Sequence, residues 1–109
     1  MKELLEEFNK YIKFWHEKSP SQVNKFLEFL KTIKEEGVLD KKTKELIAVA
    51  VAIAAQCKWC IAFHVNEALK AGAKPEEIRE AGWVAVLMGG GPKLAYMQLL
   101  EKAIEEFTK

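Results

Sequence analysis

Residues 45–64, ELIAVAVAIAAQCKWCIAFH, carry the reading of the whole chain. From Leu46 to Ala55 the stretch is apolar on every side. Its β-branched residues would suit a strand, but alanine at every second place makes a poor strand surface and a good helix surface. A helix that is apolar all round has to be buried all round. A chain of 109 residues offers few other helices to surround it. The run therefore predicts a helix at a subunit interface, and with it an oligomer.

On either side the apolar positions recur at three and four, and the breaks fall at Pro and Gly. Strand signals are almost absent. Six helices are expected, so the fold class is all-α. The first covers about 3–17, with Leu4, Leu5, Phe8, Tyr11, Ile12 and Trp15 on one stripe. Ser19, Pro20 and Gln22 read as an N-cap, a first-turn proline and a capping-box glutamine. The second helix continues through Val23, Phe26, Leu27, Leu30 and Ile33 to a stop at Gly37. Asp40 is placed to cap the third. The fourth starts around Cys57 and ends at Ala71-Gly72, where glycine suits the C-terminal cap. Pro75 opens the fifth, with Glu76 and Glu77 favoured in its first turn by the helix dipole. Gly82 on this helix is expected to allow close packing. Gly89-Gly90-Gly91-Pro92 breaks the chain before a last helix over 93–107. Residues 1–18 form an N-terminal helix, expected to pack across a subunit boundary, and 19–109 a helical domain within one compact unit.

Composition narrows the function. Half of the residues are hydrophobic and 30% are charged, enough for a core and a wetted surface, so disorder is not expected. Lys+Arg 17 against Asp+Glu 16 gives a net charge of +1 with the signs mixed, unlike the one-signed basic face of a nucleic-acid or anionic-membrane binder. No apolar run reaches the roughly 18 residues of a membrane span. The acidic, amphipathic start MKELLEEFNKYIKFW does not resemble a signal peptide, so the expected compartment is the cytoplasm.

The two cysteines, Cys57 and Cys60, would close only a tiny loop, unlike the staples of secreted scaffolds. In a reducing compartment such a pair more often binds metal or does redox chemistry. Cys60 and His64 are four residues apart and share a helix face at about 6 Å. Helix N-terminal amides and a nearby imidazole both favour a thiolate. Glu45 lies about 18 Å from Cys57 along one straight helix, too far to touch. If the chain reverses near Gln56, the third and fourth helices become an antiparallel pair. Glu45 then comes level with residues 64 to 67, where it can orient His64 as a carboxylate orients a histidine base.

Glu45 followed after eleven residues by Cys57, Cys60 and His64 resembles the E-x11-C-x-x-C-x-x-x-H signature of the AhpD-like alkylhydroperoxidases. These belong to the carboxymuconolactone decarboxylase-like superfamily. The Ala/Val-rich helix before the motif, Ala71-Gly72, Pro75-Glu76-Glu77-Ile78 and the Gly-Gly-Gly-Pro break agree, and the resemblance covers about 20–107. It implies an all-helical homotrimer or homohexamer acting as a peroxidase without metal, haem or flavin. Carried over by position, Cys60 is the peroxidatic cysteine and Cys57 the resolving one, while His64 is the base and Glu45 its partner. The implied partners are a peroxide substrate and a dithiol reductant, thioredoxin-like or lipoyl. Trp59 stands where mycobacterial members carry a histidine, which implies a shorter proton relay.

Other readings of the same residues stay open. In thioredoxin-like motifs the first cysteine is the nucleophile toward disulfides, which would give Cys57 the exchange with the reductant. Cys57, Cys60 and His64 could instead be three zinc ligands, but a structural site needs a fourth and only His16 remains, in a distant helix. A lactone decarboxylase, as elsewhere in the superfamily, would leave the dithiol without a role. Trp59 and Phe63 read as core or pocket walls, Trp83 and Met88 as further candidates for the same cavity, and Lys41 to Lys44 as a solvated face.

Overall fold

The computed structural model describes residues 1–109, with six helices and no strand: α1 (Lys2–Lys18), α2 (Pro20–Lys34), α3 (Lys41–Ala54), α4 (Lys58–Lys70), α5 (Pro75–Gly89) and α6 (Gly91–Phe107). The core is built by α3 to α6. Val49, Ala52 and Ile53 of α3 meet Ile61, Ala62, Val65 and Ala68 of α4, and Ile78, Ala85, Leu100, Ala103 and Ile104 close the packing from α5 and α6. A fully buried Ile, Leu or Val side chain contributes roughly 1.5–3 kcal/mol. Gly82 is where α5 crosses α6 closely. A Cβ there would stand 2.7 Å from Met97 Sδ and 2.8 Å from Leu100 Cδ1.

The helix ends follow local chemistry. Asp40 caps α3 by accepting the Thr43 N–H at 2.7 Å, and the charge-assisted bond holds its carboxyl below the usual range. Glu77 turns back to accept the Lys74 N–H at 2.9 Å at the start of α5. That bond, with Lys42 beside it, depresses the Glu77 carboxyl as well.

The chain reverses at Gln56, which takes φ 54°, the left-handed region where a non-glycine residue is strained. Its side-chain oxygen accepts from Lys93 Nζ at 2.7 Å. This turn sets α3 and α4 side by side.

Two expectations are corrected. The Ser19–Gln22 capping box does not form, because one residue joins α1 to α2. The Ser19 N–H closes α1 on Trp15 O at 2.7 Å while its carbonyl accepts the Val23 N–H at 3.1 Å, and its side chain makes no capping bond. The glycine break is shorter than read, since α6 already begins at Gly91 with Pro92 in its first turn, where a missing N–H costs nothing. The N-terminal helix lies on α4 of its own chain through Phe8 against Phe63, with ring centroids 6.0 Å apart. The Met1 ammonium also pairs with Glu106 at 3.0 Å.

The α3 run is not buried all round within one chain. Ile47 and Val51 stay half exposed on the face away from the core.

Candidate redox site

Cys57 is the N-cap of α4, and its sulfur accepts the Cys60 N–H at 3.2 Å. That places the pair at the helix N-terminus, where backbone amides and the dipole favour negative charge on sulfur. The two cysteines are joined as a disulfide, with Cα atoms 5.2 Å apart. Both are half-buried. His64 follows Cys60 by one turn of the same helix.

The reversal at Gln56 brings the start of α3 level with the middle of α4, and Glu45 Oε2 lies 2.8 Å from His64 Nδ1. Glu45 is only 5% exposed, so its charge needs partners. His64 is one. The second was missed in the sequence: Lys34, the last residue of α2, has its Nζ 3.9 Å from Glu45 Oε1 and 3.5 Å from Glu67 Oε2. The Lys34 ammonium also lies 5.1 Å from the centroid of the Phe63 ring, which packs edge-on to His64. Lys34 stands eleven residues before Glu45 on a different helix, so no helical spacing links them.

Two cavities flank the constellation. One, of about 410 Å³, has Cys57 and Cys60 in its wall together with Phe8, Tyr11, Ile12 and Trp15 of α1 and Trp59 of α4. Glu7 of α1 accepts the Trp59 indole N–H at 2.9 Å, fixing this wall to α4. Trp59 is thus a pocket wall. Phe63 sits between Phe8 and His64. Trp83 and Met88 lie elsewhere, largely exposed on α5 and outside this lining. The other cavity, of about 520 Å³, opens on Glu45 and is walled by Lys34, Glu67 and Lys70 among others.

The lysine cluster does more than face solvent. Lys42 pairs with Glu77 at 3.0 Å, and Lys44 Nζ donates to the Ile33 carbonyl at 2.9 Å and to that of Glu35, satisfying the open end of α2. No group of three or more His, Cys, Asp or Glu is arranged to hold a metal ion. In the disulfide state the two sulfurs are bonded to each other and offer no thiolate ligand. No helix is long and apolar enough to cross a membrane.

The sequence profile of the carboxymuconolactone decarboxylase family matches residues 20–102. A protein of the cox locus of Paracoccus denitrificans, uncharacterized, is 46% identical over 81 residues, covering 74% of this chain and 73% of that one. An uncharacterized protein of Cupriavidus necator is 33% identical over 96 residues, covering 88% and 85%. Among solved structures, a carboxymuconolactone decarboxylase family protein from Legionella pneumophila superposes with a TM-score of 0.95 at 38% identity, covering 99% of this chain and 96% of that one. A Thermotoga maritima member, for which a part in an antioxidative response has been suggested, gives 0.86 at 25% identity, covering 95% and 89%.

Proposed function

The chain belongs to the carboxymuconolactone decarboxylase family, and from that premise we propose that it is a thiol-dependent peroxidase of the alkylhydroperoxidase kind. One observation carries the reading. A Cys57–Cys60 pair at a helix N-terminus lies one turn from a histidine whose Nδ1 is held at 2.8 Å by a buried glutamate. A carboxylate only accepts hydrogen bonds, so Glu45 fixes the His64 tautomer with the proton on Nδ1 and leaves the Nε2 lone pair as the base.

In the reduced enzyme His64 takes the Cys60 proton, and the thiolate attacks one oxygen of the peroxide. The O–O bond breaks. The departing alkoxide takes the proton from His64 and leaves as an alcohol, and Cys60 becomes a sulfenic acid. Cys57 then gives up its thiol proton and attacks the Cys60 sulfur, the hydroxyl takes that proton and leaves as water, and the disulfide forms. An external dithiol supplies two electrons and two protons by exchange at the pair, restoring both thiols. The cycle needs no metal, haem or flavin, and we place it in the cytoplasm, where reductant keeps such a pair turning over.

The apolar cavity at the sulfurs supports an organic hydroperoxide as substrate. Its aromatic wall offers nothing to a small polar peroxide, whereas about 410 Å³ is enough volume for an extended apolar body. An oligomer, trimer or hexamer, belongs to the same reading. Phe26, Phe29 and Ile33 of α2, Ile47 and Val51 of α3, and Leu87 and Met88 of α5 stand exposed on a single chain, more apolar surface than a monomer usually leaves uncovered. Coupled assay of peroxide loss against dihydrolipoamide oxidation tests the activity. Turnover that vanishes in Cys60→Ser supports it, and a parent protein that consumes no peroxide while its thiols stay reduced counts against it.

A further inference from the structure

Lys34 meets Glu45 at the carboxylate oxygen that His64 does not use. One oxygen of Glu45 holds His64 Nδ1 at 2.8 Å and the other faces the Lys34 ammonium at 3.9 Å. Glu45 thus lies between a cation and the imidazole, at the wall of the 520 Å³ cavity. The lysine is itself fixed. Glu67 meets it at 3.5 Å, the Phe63 ring lies at 5.1 Å, and Lys44 ties down the carbonyl of the preceding residue, Ile33, at 2.9 Å. We propose that Lys34 is a positioning residue of the relay: it holds the Glu45 carboxylate as an acceptor for His64 and sets the pH at which the imidazole becomes a free base. The proposal rests on the peroxidase reading for its purpose, though not for its test.

The other charges around this point are few. Lys31 and Glu35 of α2, Lys41 of α3, and Glu67 and Lys70 of α4 line the same cavity, with Lys70 4.0 Å from Glu67. On the opposite flank α1 brings Glu7, bonded to the Trp59 indole. The α5 and α6 helices meet α3 and α4 through apolar residues such as Ile78, Ala85, Leu100 and Ala103, apart from Glu77, which Lys42 takes up. Lys34 is the cation that reaches Glu45 itself.

The sign follows from charge. Removing a cation lets every nearby group hold its proton more tightly, so His64 becomes a free base only at higher pH. Removing the Glu67 charge acts in the opposite sense. The chain has two histidines, and the exposed His16 on α1 serves as an internal control.

The test is titration of the ¹⁵N-labelled imidazoles in the full-length reduced protein by two-dimensional NMR. In Lys34→Met the His64 midpoint should rise by about half a pH unit or more, and in Glu67→Gln it should fall, with His16 unmoved and Lys34→Arg close to the parent. The acid limb of peroxide-driven thiol loss should move with the same signs. Opposite shifts from the two variants separate charge from a general loosening of α2, which would move both alike. If His64 titrates in Lys34→Met as in the parent, the proposal is overturned. If it shifts as stated while the parent consumes no peroxide, the positioning role stands and the peroxidase reading falls.

Discussion

Every helix from α3 to α6 contributes buried residues, and α1 and α2 contribute none. Yet the two N-terminal helices furnish the surroundings of the reactive groups on both flanks. The α1 helix walls the apolar cavity at Cys57 and Cys60, and the end of α2 delivers Lys34 to Glu45. The molecule therefore divides its labour. Four helices hold the fold and carry the motif, and two lie on the outside against it. Stability and function should separate along that line under mutation.

The largest effect should come from the motif itself. His64→Ala is expected to slow peroxide-driven disulfide formation by about 10²–10⁴-fold, the usual worth of a positioned base. Its urea midpoint should fall as well, because the change leaves the buried Glu45 carboxylate without its 2.8 Å hydrogen-bond partner. Stopped-flow thiol loss and urea melts on the same sample check both halves. Within the core, Ile61→Ala should cost about 2–5 kcal/mol by equilibrium urea unfolding, as for other fully buried large-to-small changes. A loss below about 1 kcal/mol would blur the line between the two regions.

On the other side of the line, Trp15→Ala should change stability by less than about 1 kcal/mol, since the ring is 48% exposed. It should still slow reaction with a bulky apolar hydroperoxide about tenfold relative to hydrogen peroxide, the worth of a contact of roughly 1.4 kcal/mol. Equal slowing of both peroxides would remove α1 from the substrate pocket.

Acid should probe the ties between elements. Contacts hold four carboxyls below their ordinary values. The Thr43 amide acts on Asp40, the Lys74 amide and Lys42 on Glu77, Arg79 on Glu101, and the Lys2 amide and the N-terminus on Glu106. A depressed folded-state value means stability that is present above the unfolded value and lost as pH falls through the folded one. The urea midpoint should accordingly be level above about pH 5 and decline below about pH 4. Glu106→Gln, at the tie to the N-terminus, should flatten part of that decline.

The smallest effect is expected at the reversal. Gln56→Gly relieves a left-handed residue but loosens the unfolded chain, for a net change within about 1 kcal/mol and with activity retained.

Much of this layout is legible in the sequence, for a physical reason. Helix periods, the Asp40 cap, the proline starts and the Glu45-to-His64 arithmetic all depend on spacing along one or two adjacent helices. Cys60 and His64 are related by a single turn, and Glu45 by a single reversal. Lys34 and the α1 wall are not of that kind. They reach the site through tertiary packing, Lys34 over eleven residues to Glu45 and the α1 wall over some 40 to 50 to the cysteines, and on their own helices they read as a surface lysine and an ordinary apolar stripe. Ser19 fails in the opposite way. It does stand at the N-cap, and its carbonyl accepts the Val23 N–H, but in a one-residue junction that also closes α1 its side chain makes no capping bond. The all-round apolar α3 leaves Ile47 and Val51 half exposed on a single chain.

The most direct test of the central claim is free-thiol titration of reduced protein before and after one equivalent of an organic hydroperoxide, with Cys57→Ser and Cys60→Ser alongside. The account predicts loss of both thiols in the parent, a sulfenic acid trapped at Cys60 in Cys57→Ser, and no oxidation in Cys60→Ser. Two thiols that stay unreactive in the parent, or a sulfenic acid that forms at Cys57 instead, would contradict it.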